Sequence, residues 1–239
     1  MLYGRNAVRE ALRGPRAILR LLLSDNARPD ERLQEIVALC SDRGASVQRV
    51  DRADLDDRVG PVNHQGVVAE TGPYPYADVA DLADRAGVVV ALDHLQDPQN
   101  VGTLIRSALA FSAAGILLPS DRAAEVTPAV VNASSGATEH LPIAQVTNLA
   151  RELERLKEAG RWVVGLDTGS DSVSITATRL PQPAVLVVGA EGAGIGRLVR
   201  ARCDLIVAIP ISAAIDSLNA ATAASIALFE LERQRLAVE

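Results

Sequence analysis

The sequence predicts an α/β protein in two domains, a small α/β domain followed by a larger, doubly wound one with a parallel sheet. Three observations carry that prediction. The length, 239 residues, suits one small domain plus one of average size. From Arg5 to Thr71 the apolar pattern alternates between helix-like and strand-like stretches. Beyond a break marked by glycine and proline, near-continuous apolar runs alternate with helical stretches, the pattern of parallel strands buried on both faces.

In the first domain, residues 1–72, Asn6 to Arg13 reads as a short helix stopped by Gly14 and Pro15, and Ala17 to Leu23 as a buried strand. Asp30 to Asp42 reads as an amphipathic helix closed by Gly44, and Gly66 to Glu70 as another strand. Residues 73–86 open on Pro73 and Pro75 and continue no period, so they read as a linker. In the second domain, residues 87–239, strands are expected at Val88 to Leu92, Ile116 to Leu118, Trp162 to Leu166, Ala184 to Val188 and Leu205 to Ile209. In such a sheet, ligands sit at the carboxyl ends of the strands, which directs attention to the residues just after each run.

Hydrophobic residues make up 48% of the chain and charged residues 23%, enough for a core without disulfides or metals. No apolar run reaches the roughly 18 residues of a spanning helix. The opening MLYGRNAVREALRG places arginines where a signal peptide needs an apolar core, so a cytoplasmic location is expected. Cys40 and Cys203 lie far apart without a CxxC and read as buried or half-buried thiols. His64, His94 and His140 show no HxxxH spacing, and no metal site is expected.

The net charge of −6 argues against a protein that grips nucleic acid over its whole surface. The distribution is uneven: residues 1–60 hold eleven arginines against ten acids, and residues 61–239 thirteen basic against twenty acidic side chains. Arg5, Arg9 and Arg13 fall at i, i+4 and i+8 on one helical face. That face is either a solvated surface or a stripe that contacts nucleic-acid phosphates, which a guanidinium fork grips bidentately.

Three segments carry chemical signals. In LDHLQDPQNVGTLIRSALAF, residues 92–111, Asp97-Pro98 makes a turn and Asn100 either caps the following helix or serves a site. Arg106 sits among Leu104, Ile105, Ala108 and Leu109 and is expected to face the core, where it would need an anionic partner. In VLVVGAEGAGIGRLVRARCDLIVAIPI, residues 185–211, four glycines follow a strand, but Arg197 stands where a GxGxxG loop needs its third glycine. No lysine follows, which excludes a P-loop. Glu191 in that loop would repel phosphates and could bind a cation, an amine or Arg106. In AIDSLNAATAASIALFELERQR, residues 214–235, Asp216 or Ser217 caps a final helix whose first turns are nearly all small; Ser217 and Asn219 read equally as caps or as site residues.

DPQNVGTLIRSA, VVGAEGAGIGRLVRARCD, and IPI followed by SLNAATA resemble, in order and separation, the three consecutive motifs of the SpoU/TrmH class of SPOUT methyltransferases. The resemblance extends over nearly the whole chain. GRNAVREAL and NHQGVVAE are similar to the amino-terminal substrate-binding domain of the RlmB-like branch, which modifies a guanosine of 23S rRNA. The resemblance implies an α/β trefoil knot in the second domain, which periodicity cannot show. It also implies a homodimer, S-adenosyl-methionine held in the knot, and methylation of a ribose 2′-hydroxyl in RNA, with rRNA favoured over tRNA by the first domain. Position by position, Gly189, Ile209 and Leu218 match the family's cofactor positions, and Asn100, Arg106, Glu191, Ser217 and Asn219 its catalytic polar set. The third motif departs from the family's frequent SLNVSVA at Ala220, Ala221 and Thr222, so the role of a second serine is absent.

Such a reaction needs a ribose oxygen held in line with the methyl carbon, and the hydroxyl must lose a proton. Arg106 is often taken as the base in these enzymes, yet a guanidinium stays protonated in proteins. The physical alternative is a clamp on the adjacent phosphate, with Glu191 orienting Arg106, and Ser217 and Asn219 fixing the ribose or the loop. Two other classes compete. The failed GxGxxG spacing counts against a nicotinamide oxidoreductase, and the joint presence of the five polar residues against a non-catalytic RNA-binding relative. Aromatic residues are only 3% of the chain, so arginine–phosphate contacts and shape are expected to dominate RNA recognition.

Overall fold

The computed structural model describes residues 1–121 and 125–237. The first part of the chain runs β1 (Leu2–Tyr3), α1 (Arg5–Arg13), β2 (Ile18–Ser24), α2 (Glu31–Asp42), β3 (Ser46–Val50), α3 (Arg52–Val59) and β4 (Val67–Thr71). It continues through α4 (Val79–Ala83), β5 (Val89–Leu92), α5 (Pro98–Ala110), β6 (Gly115–Pro119), α6 (Pro128–Ala133), β7 (Ile143–Val146), α7 (Leu149–Glu158) and β8 (Trp162–Leu166). The last part is β9 (Val173–Ser174), β10 (Ala184–Val188), α8 (Arg197–Arg200), β11 (Leu205–Ala208) and α9 (Ala220–Leu236). Contacts divide it into two compact units, Met1–Pro75 with Val126–His140, and Tyr76–Glu125 with Leu141–Glu239.

The first unit is built on a mixed sheet in the order β1-β4-β2-β3, antiparallel except for β2 with β3. α1 buries Ala7, Val8, Ala11 and Leu12, and its arginines turn to carboxylates. Arg5 pairs with Asp30, Arg9 with Glu10 at 2.9 Å, and Arg13 with Glu10 at 3.2 Å and with Glu35. The stripe is thus engaged within the unit, largely by α2 and the residue that caps it. Residues 126–140, inside the span read from the sequence as the second domain, pack here instead. Glu139 forms a buried ion pair with Arg16 at 2.7 Å, and Tyr74 stacks on that guanidinium at 4.7 Å while its hydroxyl donates to the Thr138 carbonyl at 2.6 Å. A buried arginine has to find its counter-charge, and here it lies 123 residues away.

Among its described residues the second unit holds seven strands in the order β7-β6-β5-β10-β8-β11-β9, every pair parallel. All four residues of β5 and all five of β10 are buried, so the sheet is covered on both faces as the apolar runs require. β10 enters between β5 and β8, after which the chain lays β11 on the far side of β8 and α9 returns to pack on α5. This interleaving brings the carboxyl ends of β8, β10 and β11 side by side.

Residues 73–86, read as a linker, contain α4, whose Leu82 is fully buried. A five-residue helix is too short to display a period. Its last two carbonyls are held by Arg161, 3% exposed, which donates to Leu82 at 3.1 Å and Ala83 at 3.0 Å, and beyond the helix to Gly87 at 2.9 Å, Ala184 at 3.3 Å and also to Arg85. Burial pushes this guanidinium below its ordinary value, yet five carbonyl dipoles keep it satisfied. Cys40 is buried and Cys203 half-buried, and burial pushes their thiols up to about 11 and about 12, so both remain protonated and unreactive. Among the described residues no helix is long and apolar enough to cross a membrane.

Arg161→Met keeps most of the buried volume but strands the carbonyls. It should lower the unfolding free energy by about 3 kcal/mol in urea titration; a loss within about 0.5 kcal/mol would show that water replaces the guanidinium.

Candidate active site

The site begins with a loop that only glycine permits. After β10 the chain turns back at once, with Gly194 N donating to the Ala190 carbonyl at 2.9 Å and with Gly192 and Gly194 at φ of 74° and 65°. A Cβ on Gly189 would stand 2.2 Å from the Gly194 carbonyl carbon, so no side chain fits at the crossing. Two aspartates at neighbouring strand ends fix the far limb. Asp167 Oδ2, after β8, accepts from Ile195 N at 3.4 Å, and the buried Asp93 Oδ2, after β5, accepts from Gly196 N at 2.7 Å. Asp167 is itself held by Arg200 at 2.6 Å, which reaches Asp171 at 2.6 Å. Burial works against the Arg200 charge, but these two carboxylates hold it above its ordinary range.

This loop aims Glu191 at the starts of two helices. Glu191 Oε1 accepts from Asn100 Nδ2 at 3.2 Å, from Asn219 Nδ2 at 2.6 Å and from Ala220 N at 3.3 Å. Asn219 Nδ2 also donates to Asn100 Oδ1 at 2.8 Å, closing a triangle of side chains drawn from three distant segments. The carboxylate lies at the amino end of α9, where free N–H groups and the helix dipole favour negative charge.

Beside the triangle lies a pocket of about 320 Å³ at the carboxyl ends of β8, β10 and β11, where a parallel sheet was expected to bind its ligand. Gly189, Glu191, Ile209, Ser217 and Leu218 line it, so five residues singled out from the sequence converge there. The lining includes the carboxylates of Asp167, Glu191 and Asp216 and no basic side chain.

Several sequence expectations change. Asn100 is not the cap of α5: Asp97 is, accepting from Gln99 N at 3.0 Å with Pro98 following, and this frees the Asn100 amide to reach Glu191. α9 is capped neither by Asp216 nor by Ser217 but by Asn219, whose Oδ1 accepts from Thr222 N at 3.1 Å. Arg106 does not face the core. Val101, Leu104, Ile105 and Ala108 form the buried stripe of α5, and Arg106 stands on the exposed side, outside the pocket lining. Asp167 and Asp93 were passed over, although both directly follow a strand, the position that the parallel sheet marks for scrutiny. His94, weighed from the sequence only as a metal ligand, sits at φ 60° with its Nδ1 2.7 Å from Asp93.

Comparison with known proteins places both parts of the chain in described families. Residues 87–229 match the SpoU rRNA methylase family, and residues 1–77 match the RNA 2′-O ribose methyltransferase substrate-binding family. The chain is 40% identical over 242 residues to YacO of Bacillus subtilis, which bears the name of a TrmH family tRNA/rRNA methyltransferase; the match covers 98% of this chain and 95% of YacO. It superimposes on the SpoU methyltransferase AviRb of Streptomyces viridochromogenes, crystallised with AdoMet, with TM-score 0.83 and 26% identity, over 99% of this chain and 90% of that one. An AdoMet-bound rRNA methyltransferase of Sinorhizobium meliloti gives TM-score 0.81 and 28% identity over 97% and 85%.

Asn219→Asp tests the triangle without removing the cap, since aspartate caps as well as asparagine. It sets a second carboxylate against Glu191 and should lower stability at pH 7. Equal stability of variant and parent at pH 7, in thermal unfolding, would rule the contact out.

Proposed function

This chain belongs to the SpoU rRNA methylase family of RNA methyltransferases, and from that premise we propose that it methylates a ribose 2′-hydroxyl of RNA, a guanosine of 23S rRNA, with S-adenosyl-methionine as donor. The observation that carries this reading is the Asn100–Glu191–Asn219 triangle at the rim of the pocket lined by Gly189, Ile209 and Leu218. A pocket lined by the carboxylates of Glu191 and Asp216, with Asp167 already paired to Arg200, and walled by Leu166, Val188, Ile209 and Leu218 without a basic side chain, suits an amphiphilic ligand bearing positive charge. It is unsuited to the pyrophosphate of a dinucleotide, which argues against an oxidoreductase. The bound donor supplies an activated methyl group on a sulfonium.

The residues of the chain then divide the remaining work. Gly189 leaves room at the loop crossing, while Ile209 and Leu218 cover the apolar face of the donor. Glu191 Oε1 is occupied by three hydrogen bonds, which leaves Oε2 to orient a cationic or hydroxyl group at the pocket rim. Ser217, in the pocket wall, fixes the ribose or the loop. Arg106 clamps the phosphate beside the reacting ribose and stabilises the developing alkoxide; its exposure suits a residue that meets a polymeric substrate. It does so as a permanent cation rather than as a base.

The SpoU rRNA methylase match over residues 87–229, together with the alignment to the S. meliloti rRNA methyltransferase over nearly the whole chain, supports rRNA as the target. A homodimer is supported by the exposed apolar side chains Leu109 of α5 and Ile226 and Phe229 of α9, two helices that pack on each other with Phe111 and Phe229 edge to face at 5.9 Å.

Ribose-methylation mapping of rRNA and tRNA from cells lacking the gene should show one 23S rRNA position lost, restored by the parent gene, and reduced about 100-fold in initial rate with Arg106→Lys. An unchanged map sinks the assignment, and near-normal methylation by the lysine variant sinks the bidentate clamp. Phe229→Glu should convert the protein to a monomer in light scattering at micromolar concentration; a parent that is already monomeric would refute the dimer.

A further inference from the structure

The first unit has a cavity of about 540 Å³ that the proposed chemistry leaves unused. Gln65 and Gly66 line one side of it, in a turn that His64 holds from behind. The fully buried His64 accepts from Gly66 N through Nδ1 at 3.1 Å, so its Nε2 carries the proton and donates to Asp56 of α3 at 2.9 Å. Gly66, at φ 74°, lets the loop after β2 lie close, since a Cβ there would come within 3.1 Å of Ala27 Cβ. The wall opposite is that loop, shaped by Arg5. Arg5 pairs with Asp30 and donates to the carbonyls of Arg28 at 2.8 Å and Gln65 at 3.5 Å, while Asp30 also caps α2 through Leu33 N at 2.8 Å.

This wiring decides which arginines are available. Arg5, Arg9 and Arg13 are tied to carboxylates. Arg28 and Arg32, which line the cavity, have no carboxylate partner among the described residues. Arg52, also in its lining, has a side chain 66% exposed and only a 3.8 Å approach to Asp56. Asp30, the one carboxylate in the lining, is already neutralised by Arg5 and by the amino end of α2. Net positive charge therefore collects in a concave site much larger than one phosphate needs. No aromatic side chain lines it, so it offers nothing for a base to stack on.

We propose that this cavity, rather than the α1 face, is where the first unit grips its RNA. Arg28, Arg32 and Arg52 take neighbouring phosphodiesters, and Arg5 acts as a positioning residue that holds the loop. The inference rests on the reading of this protein as an RNA methyltransferase acting through its substrate-binding unit. It makes that unit's contribution electrostatic and largely independent of sequence, leaving choice of nucleotide to shape and to the active site.

The test measures binding of protein-free 23S rRNA and of bulk tRNA to the full-length protein across a salt series, with S-adenosyl-methionine binding followed by calorimetry. The double variant Arg28→Gln, Arg32→Gln should weaken binding of the preferred RNA by about 10- to 100-fold and flatten the slope of log affinity against log salt by about 1.5. Donor binding and the unfolding midpoint should stay as in the parent, because neither arginine makes an internal ion pair. Arg9→Gln with Arg13→Gln should leave RNA affinity and slope unchanged at temperatures where the variant is folded. Unchanged affinity and slope in the Arg28/Arg32 variant overturn the proposal while leaving the methyltransferase reading intact. Loss confined to the Arg9/Arg13 variant returns the contact to α1. A parent protein that binds neither RNA overturns both readings.

Discussion

One carboxylate makes a site out of three segments that are far apart in the chain. Glu191 can meet Asn100 and Asn219 only if the loop after β10 reverses within a few residues, and that reversal requires the backbone of Gly194 to lie where the Cβ of residue 189 would be. Asp93 and Asp167 hold the returning limb by accepting from Gly196 N and Ile195 N. Arg200 holds Asp167 in turn. The pocket wall, the amino end of α9 and the first turn of α5 inherit their positions from this chain of hydrogen bonds. A negatively charged group at the mouth of a pocket without basic side chains sets the electrostatic character of the whole site.

Arginine is nearly the only cation in the chain, Lys157 being the single lysine, and the fold uses its five donors in four distinct ways. Arg161 is buried against carbonyls, and Arg16 is buried against a carboxylate and beneath an aromatic ring. Arg200 bridges Asp167, which lines the pocket, to Asp171, which does not. Arg28 and Arg32 remain open to a ligand. An acidic protein with net charge −6 thereby keeps a local positive site, because most of its other arginines are consumed by internal partners. Charge counting along the sequence locates cations but not which of them are spent.

The legible and illegible parts of the fold separate by physical cause. β5 and β10 were readable because burial on both faces leaves an apolar run with no alternation to misread, and β8 because its three central residues are buried in the same way. β3 was not, because four of its five residues are exposed, and β9 is two residues long. The capping residues were misplaced because Asp97 and Asn100, like Asp216, Ser217 and Asn219, are all competent caps standing close together, and only the path of the incoming chain selects one. Arg106 was assigned to the core from its sequence neighbours; at 100° per residue, neighbours such as Ile105 and Ser107 point elsewhere, and the buried stripe passes it by.

The sequence by itself determined the α/β class, the parallel character of the larger sheet, the placement of candidate residues at strand ends and helix starts, and the order of the motifs that identify the family. These follow from periods of two and 3.6 residues and from short spacings, all written within a few consecutive positions. Only the tertiary structure decided that β10 slips between β5 and β8, that residues 126–140 pack with the first unit, that Glu191 meets Asn100 and Asn219, and that Arg28 and Arg32 have no carboxylate partner among the described residues. Those outcomes depend on hydrogen bonds and ion pairs between residues tens to more than a hundred positions apart, and a local pattern carries no record of a distant partner.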